Sequence, residues 1–351
     1  MFLKNQWYVA AFSTEITATP LSRTLLGEQV VMFRINSSNV VALEDRCCHR
    51  GLPLSKGVVV GSTIQCSYHG LKYDCSGACV HIPNQEKIPS SARVKSFSVV
   101  EQDGLVWVWL GAAEGAQGQN PDRYKWHTEE KWAHKGKKNY TRAPASMLID
   151  NLLDLSHVGY VHGGTIGVDP KSHSAAEMNY EPTAWGIVMS RKMRDAQPPS
   201  TYVAAAGFQG KIDRWSDTEF RPAYITISAG AKDVNQGAFE GNQEGAFWLK
   251  SLHAITPETE STTHYFWTIS HRVRDDMPGL TEFLFQEIDK TFAEDKEVIE
   301  AQSNNLLRTP DRPLIDVRAD GPSLLARRLI KKWKEQEREQ STSEGTSLSA
   351  L

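Results

Sequence analysis

The chain has 351 residues, a formal net charge of −3, 40% hydrophobic residues and 23% charged residues. This length is typical of about two domains of roughly 100–200 residues each, and the composition is that of a globular protein. The small net charge gives no general attraction to nucleic acid or to anionic membranes. No apolar run reaches the about 18 residues of a spanning helix, and the N-terminus lacks a signal-peptide pattern. We therefore expect no membrane segment and a cytoplasmic protein.

The first part of the chain has the pattern of an all-β domain. Short runs rich in β-branched and aromatic residues occur at 30–34, 40–43 and 105–110, the last directly after the turn signal Asp103-Gly104. Residues 111–121 are small, polar and rich in glycine, which is typical of a linker. The sequence thus predicts domains at 1–112 and 122–335. Residues 336–351 are charged and then rich in Ser and Thr, which predicts a disordered tail.

Two short loops each offer one thiol and one imidazole. Cys47 and His49 are spaced C-x-H, Cys66 and His69 are spaced C-x-x-H, and sixteen residues separate His49 from Cys66. Thiolate and imidazole together suit zinc or iron rather than calcium or magnesium. A zinc finger presents two Cys before two His, whereas each loop here carries one of each. The pattern favours a Rieske [2Fe–2S] centre, with both Cys on one iron and both His on the other, over a structural zinc site.

Three of the five cysteines lie outside the ligand positions. Cys48 is flanked by two proposed ligands, and Cys75 and Cys79 have no further His or Cys pair nearby to complete a second metal site. We interpret Cys75 and Cys79 as structural. An odd number of cysteines makes a disulfide framework unexpected, in keeping with the reducing cytoplasm.

A second constellation combines two histidines with a distant carboxylate. Residues 147–158 are predicted to form a helix that carries His157 in its polar stripe, and His162 follows five residues later, about 140° away on an ideal helix. Gly159 is expected to distort the backbone and bring the two imidazoles together. Asp295 lies in the apolar stripe of a helix predicted over 281–306, where a carboxylate is costly unless it is paired or bound to a metal. A buried structural ion pair is the alternative interpretation.

These segments resemble the oxygenase component of Rieske non-haem iron oxygenases, in the branch of the vanillate and dicamba O-demethylases and toluenesulfonate monooxygenase. The similarity rests on residues 5–10, both cluster loops, 151–157 with His162, and Glu294-Asp295. It implies an α+β protein: an N-terminal all-β Rieske domain and a C-terminal, helix-grip-like catalytic domain with an antiparallel sheet and flanking helices. It also implies that His157, His162 and Asp295 hold a mononuclear Fe(II) as a two-His-one-carboxylate triad.

The resemblance extends to partners and to two further catalytic positions. It implies a homotrimer, electrons from NAD(P)H through a separate reductase and possibly a ferredoxin, and O₂ with a small aromatic compound as substrates. Asp154 matches the aspartate that would bridge His157 to His69 of a neighbouring subunit, and Asn151 is expected beside the iron without binding it. His253 and Gln286 match substrate-pocket positions.

The expected activity is oxidation of an aromatic substituent: O- or N-dealkylation, or methyl hydroxylation. Two alternatives stay open at this point: a ring cis-dihydroxylating dioxygenase, and a Rieske electron-transfer protein without oxygenase activity. No motif within 180–290 identifies the substrate. Arg191, Arg194 and Arg221 could pair with a substrate anion, but surface arginines are the interpretation that the sequence favours for each.

Overall fold

The computed structural model describes residues 2–36 and 38–348, with side chains up to residue 340. The chain divides into two compact units. One extends to Arg123 and also includes Thr256–Glu260, and the other consists of Tyr124–Ile255 with the chain from Ser261 onward. The short segment was not predicted to join the first unit. It does so because Pro257 O accepts a hydrogen bond from Leu26 N at 2.8 Å, a contact that local sequence does not reveal.

The first unit is built from two antiparallel sheets. The larger has the strand order β1-β10-β9-β4-β3-β2 and the smaller the order β5-β6-β7-β8. The strands are β1 Trp7–Phe12, β2 Leu21–Leu25, β3 Glu28–Arg34, β4 Val40–Glu44, β5 Val58–Val60, β6 Thr63–Gln65, β7 Lys72–Tyr73, β8 Cys79–His81, β9 Ser96–Gln102 and β10 Leu105–Trp109.

Two-residue turns connect β2 to β3 and β9 to β10 in the larger sheet. Asp103 and Gly104 adopt positive φ values of 55° and 78° between β9 and β10. A two-residue hairpin whose turn matches the right-handed twist of its strands requires such values at both positions. All five residues of β10 are buried, so the strand forms part of the core. The predicted turn and strand are therefore confirmed.

The second unit consists of one seven-stranded sheet and six α-helices within the described residues. The strand order is β11-β17-β16-β15-β14-β13-β12. The strands are β11 Trp132–Thr141, β12 Glu177–Pro182, β13 Ile187–Ala196, β14 Ile212–Arg221, β15 Tyr224–Asp233, β16 Phe247–Pro257 and β17 Thr263–Arg272; the helices are α1 Ala145–Leu153, α2 Val158–Val161, α3 Pro170–Ser174, α4 Ser200–Ala206, α5 Leu280–Arg308 and α6 Gly321–Leu348. The expected α+β architecture is confirmed.

The long helix α5 packs against β11 and β17 through the apolar stripe expected from the sequence. Leu284, Ile288, Phe292 and Ile299 are all buried, and Asp295 lies buried among them. In the described part of the chain, no helix is both long and apolar enough to cross a membrane.

Two predicted helical features differ from the structure. The helix expected over 147–158 ends at Leu153, and His157 precedes the separate one-turn helix α2. The break follows from the Asp154 carboxylate, which accepts the Ser156 backbone N–H at 2.8 Å and so competes with the helix. Helix α6 continues to Leu348, over most of the segment for which the sequence predicts a disordered tail; residues 349–351 lie outside the described residues.

On one face of the large sheet, a lysine is enclosed by tryptophans. Lys250 Nζ lies 4.3 Å from the centre of the Trp126 ring and 4.5 Å from that of Trp248, and it donates to Ser228 Oγ at 3.0 Å. Burial lowers the pKa of Lys250 from 10.5 to about 8, which means that the folded protein disfavours its charged form.

We expect Lys250→Met to raise the Tm at pH 7, because it removes a buried ammonium group. Folding depresses the pKa of this amine, so the penalty is complete below pH 8 and disappears as pH rises from about 8 to 10.5. The gain in Tm should therefore be smaller at pH 9.5 than at pH 7. Thermal unfolding at both pH values measures it, with Lys332→Met at an exposed position as the control. A gain independent of pH would contradict this explanation.

Candidate functional site

The two cluster loops have the same backbone turn. Cys47 N donates to Leu52 O at 2.9 Å, and Cys66 N donates to Leu71 O at 2.8 Å. Within these turns, Gly51 and Gly70 donate to the carbonyls of Cys47 and Cys66 and have φ values of 73° and 74°. Such positive φ values favour glycine, which explains why Gly follows closely after each His.

The matched turns bring the four predicted cluster ligands together. The thiols of Cys47 and Cys66 are buried, whereas His49 and His69 are exposed and their ring centres are 4.6 Å apart. Burial, as the largest effect, raises the pKa of the Cys66 thiol. Two adjacent thiols inside and two adjacent imidazoles outside fit the donor set of a Rieske cluster, in which Cys and His bind different irons.

Tyr73 is a residue of this site that the sequence did not indicate. Its hydroxyl is buried 3.1 Å from Cys47 Sγ and 3.2 Å from Cys48 Sγ, and it accepts the Cys48 backbone N–H. Burial, followed by these contacts, raises the pKa of Tyr73, so the phenol stays protonated. With a thiolate ligand at Cys47, Tyr73 would be the donor. Nothing in the local sequence distinguishes this tyrosine from an ordinary strand residue.

His157, His162 and Asp295 converge as predicted. Their potential ligand atoms all lie within 4.8 Å of one another. Asp295 Oδ1 is 3.0 Å from His162 Nε2 and 3.3 Å from His157 Nε2. The histidines flank the one-turn helix α2, so neither has to follow the geometry of a continuous helix. Gly159 was expected to bend a helix, but its role is close packing: a Cβ there would lie 2.7 Å from Pro170 Cα.

Each imidazole of the triad is held by its other nitrogen. His157 Nδ1 donates to the backbone carbonyl of Asp154 at 2.5 Å, and His162 Nδ1 donates to Glu294 Oε2 at 2.9 Å. In both rings Nε2 thereby faces Asp295, and it is the nitrogen whose lone pair a bound metal would take in place of a proton. No role was expected for Glu294 beyond its place next to Asp295, and the structure corrects this. It also corrects the acceptor on Asp154, because within this chain the carbonyl rather than the carboxylate accepts from His157.

The charge at this site fits a bound cation. Burial disfavours ionisation of Asp295, but the hydrogen bonds from His157 and His162 outweigh it and lower the pKa of the carboxyl. Burial also opposes protonation of His162, yet Asp295 and then Glu294 raise its pKa. Asn151 Nδ2 donates to Asp295 Oδ1 at 3.0 Å, beside the triad as expected. An ionised, nearly buried carboxylate facing two imidazole nitrogens is suited to a divalent metal such as Fe(II).

A mostly apolar cavity of about 110 Å³ opens directly onto the triad. It is lined by residues of β13 to β17 on one side and by α5 on the other, and His253 is part of its wall. Gln286 is exposed, donates to Glu282 Oε1 at 3.1 Å and is absent from the described lining of the cavity. It lies two residues before the buried Ile288, which places it on the opposite side of the helix. The structure therefore does not bring Gln286 to this cavity, unlike His253.

Two arginines also line the cavity, and sequence reasoning had assigned one of them to the surface. Arg191 is buried and donates to His173 O, and Arg214 donates to Ile166 O at 3.0 Å. Burial and then the charge of Arg214 lower the pKa of Arg191 to about 10, against a smaller opposing effect of Asp154. Among the described side chains, neither guanidinium has a carboxylate in ion-pair contact. Their positive charge is thus available to a ligand.

We expect Tyr73→Phe to lower the reduction potential of the cluster, because a donor to a sulfur ligand stabilises the more negative reduced state. A redox titration followed by EPR measures the shift. Tyr68→Phe is the matched control, since Tyr68 is exposed and its ring stacks on His69 without a described hydroxyl contact to a cysteine. Equal potentials for wild type and Tyr73→Phe would rule out this role.

Comparisons with known proteins agree with this geometry. The family described as "Vanillate O-demethylase oxygenase C-terminal domain" matches residues 141–336, and "Rieske [2Fe-2S] domain" matches residues 6–98. The iron-sulfur subunit of the toluene-4-sulfonate monooxygenase system of Comamonas testosteroni is 38% identical, covering 91% of this chain and 93% of that protein. The vanillate O-demethylase oxygenase subunit of a Pseudomonas species is 33% identical, covering 94% of each chain.

The fold is also that of a solved relative. The crystal structure of dicamba monooxygenase bound to dicamba has a TM-score of 0.87 and 29% identity to this chain, covering 96% of this chain and 99% of the other. Two family matches and long alignments above 30% identity carry the assignment. This chain therefore belongs to the Rieske non-haem iron oxygenases, in the family of the vanillate O-demethylase oxygenases.

Proposed function

We propose that this protein is the terminal oxygenase of a multicomponent monooxygenase that oxidises an O-alkyl, N-alkyl or methyl substituent of an aromatic acid. The observation that carries the proposal is a single cavity with the His157, His162 and Asp295 triad and two buried or half-buried arginines in its wall. The triad suits an iron with open positions, and the arginines suit an anionic group on the substrate.

Each metal group has its own set of residues. Cys47, His49, Cys66 and His69 would hold the [2Fe–2S] cluster, and the triad would hold Fe(II). When bound, these groups would supply electron storage and dioxygen activation.

Around the iron position, the protein fixes protons and orientation. Glu294 and the Asp154 carbonyl keep the Nδ1 protons of the two triad histidines in place. Asn151 holds one oxygen of Asp295 by a hydrogen bond and so limits rotation of the carboxylate. The apolar wall of the cavity excludes water from the site and gives an aromatic ring its contacts.

The assembly and electron supply follow from family membership. Relatives are named as oxygenase components and subunits, so we infer a separate reductase, and possibly a ferredoxin, that delivers electrons from NAD(P)H. We also propose a homotrimer, in which Asp154, whose carbonyl already accepts from His157, connects the triad to His69 of a neighbouring subunit. Light scattering on the purified protein tests the trimer. None of the five cysteines forms a disulfide, which supports the cytoplasm as its compartment.

The substrate class is supported by relatives and by charge. Named substrates of relatives include toluene-4-sulfonate, vanillate and dicamba. Here Arg191 donates to the carbonyl of His173 and Arg214 to that of Ile166, and each guanidinium has further N–H groups that a ligand could accept from. An aromatic ring with a carboxylate or sulfonate would offset the two positive charges, which have no carboxylate partner among the described residues.

We expect Asp295→Asn to reduce the iron content from about three to about two atoms per chain, because a neutral amide is a poor ligand for a hard cation. Metal analysis of the reconstituted protein gives the stoichiometry, and the EPR signal of the cluster should be retained. Glu297→Gln on the exposed side of α5 is the matched control. Retention of the third iron by Asp295→Asn would remove this carboxylate from the site.

The activity itself is tested by a substrate screen with NADH and a surrogate reductase. We expect 4-methoxybenzoate to be demethylated with a kcat/KM at least about tenfold above that of 4-methylanisole, which lacks the anion. Formaldehyde release and oxygen uptake measure the reaction. A preference for the neutral compound would refute the role of the arginines, and a cis-diol product would refute monooxygenation.

A further inference from the structure

Three side chains form a hydrogen-bonded row that ends at the cavity and is not part of the triad. The Tyr265 hydroxyl lies 2.7 Å from His253 Nδ1, and His253 Nε2 lies 2.7 Å from Ser251 Oγ. Tyr265 and His253 are buried, whereas Ser251 is half-buried and, with His253, lines the cavity. Both nitrogens of His253 are thus occupied, and a direct hydrogen bond from His253 to a substrate would break the row.

The proton of Tyr265 sets the direction of the row. Burial raises the pKa of Tyr265 well above its ordinary value, so the phenol is protonated at neutral pH. Within the described residues, His253 Nδ1 is the partner of this hydroxyl. A buried hydroxyl that donates to nothing is destabilising, so Tyr265 donates and Nδ1 accepts.

The tautomer of His253 then follows. Burial lowers the pKa of His253 to about 3, so the imidazole is neutral. A neutral imidazole that accepts at Nδ1 carries its single proton at Nε2, and Nε2 therefore donates to Ser251 Oγ. The hydroxyl hydrogen of Ser251 has no place in the row, and the cavity is where it can find an acceptor.

We propose that Ser251 is a specificity-determining residue that donates a hydrogen bond to an acceptor oxygen of the substrate, with His253 and Tyr265 as the positioning residues behind it. This inference rests on the proposed function, because it takes the cavity as the substrate site. The ligand class is an aromatic compound with a carboxylate, sulfonate or ether oxygen. His253 would act on the substrate through Ser251, which revises the direct role expected from the sequence.

The cavity offers a matched control. Ser216 on β14 also lines it and is half-buried, but its hydroxyl has no described hydrogen bond to an imidazole. Ser251→Ala and Ser216→Ala therefore remove the same atom from two sides of one cavity. The probes are toluene-4-sulfonate and p-xylene, which differ in one ring substituent, and equilibrium dialysis with the reconstituted holoenzyme measures Kd for each.

We expect Ser251→Ala to raise the Kd for toluene-4-sulfonate about tenfold and to leave that for p-xylene unchanged, since a hydrogen bond to a charged acceptor is lost. Ser216→Ala should raise the Kd for toluene-4-sulfonate clearly less than Ser251→Ala does, because no imidazole orients its hydroxyl. Tyr265→Phe should weaken sulfonate binding by about threefold, and the double variant with Ser251→Ala should be no weaker than Ser251→Ala alone, because both act through one donor.

Additive losses in the double variant, equal effects of the two serine variants, or no preference of wild type for the sulfonate would each overturn the inference. Thermal unfolding of every variant separates a folding defect from a binding defect. A different outcome would reject the oxygenase proposal. An iron-loaded wild type that shows the expected binding pattern but oxidises no probe would reject the proposed activity and leave the Ser251 hydrogen bond supported.

Discussion

The contact between the Asp295 carboxylate and two imidazole nitrogens is the interaction on which the second unit depends. A carboxylate in the apolar stripe of α5 is costly to bury, and its two imidazole neighbours would repel each other if both were protonated. A divalent metal removes both difficulties at once. Burying these three groups together therefore costs free energy unless a metal is bound. Glu294 and the Asp154 carbonyl hold the two imidazoles in the orientation that metal binding needs.

The alternation of strand residues separates two environments across the large sheet. Leu249, Ser251 and His253 line the cavity, while Trp248 and Lys250 belong to the opposite face, where tryptophan rings surround the ammonium group. One strand thus contributes to the wall of the cavity on one face of the sheet and to a tightly packed, charged cluster on the other. Because side chains alternate strictly, a shift of one residue in register would exchange the two environments.

The cluster loops depend on a different constraint, the repetition of one turn. Each loop closes with a hydrogen bond from the Cys amide and a glycine at positive φ, and so each presents a buried sulfur and an exposed nitrogen in the same way. The exposed imidazoles are the part of the cluster site that an electron-transfer partner can approach. Tyr73 lies on the buried side, where its hydroxyl contacts Cys47 Sγ and would leave access to a bound cluster open.

The sequence by itself predicted the ligand types from their spacing and helix α5 from its apolar period of 3.6, because both are local properties. It indicated the α+β class through the resemblance to a known family. It could not show that Glu294 holds His162, that Arg191 faces a cavity or that Gln286 does not, since these depend on which elements pack together. The break before His157 and the extent of α6 were also missed: one arises from a side chain competing with the helix, and the other from a polar segment with weak local signal. Tertiary structure alone decided the row from Tyr265 to Ser251, because hydrogen-bond direction is set by partners on neighbouring strands.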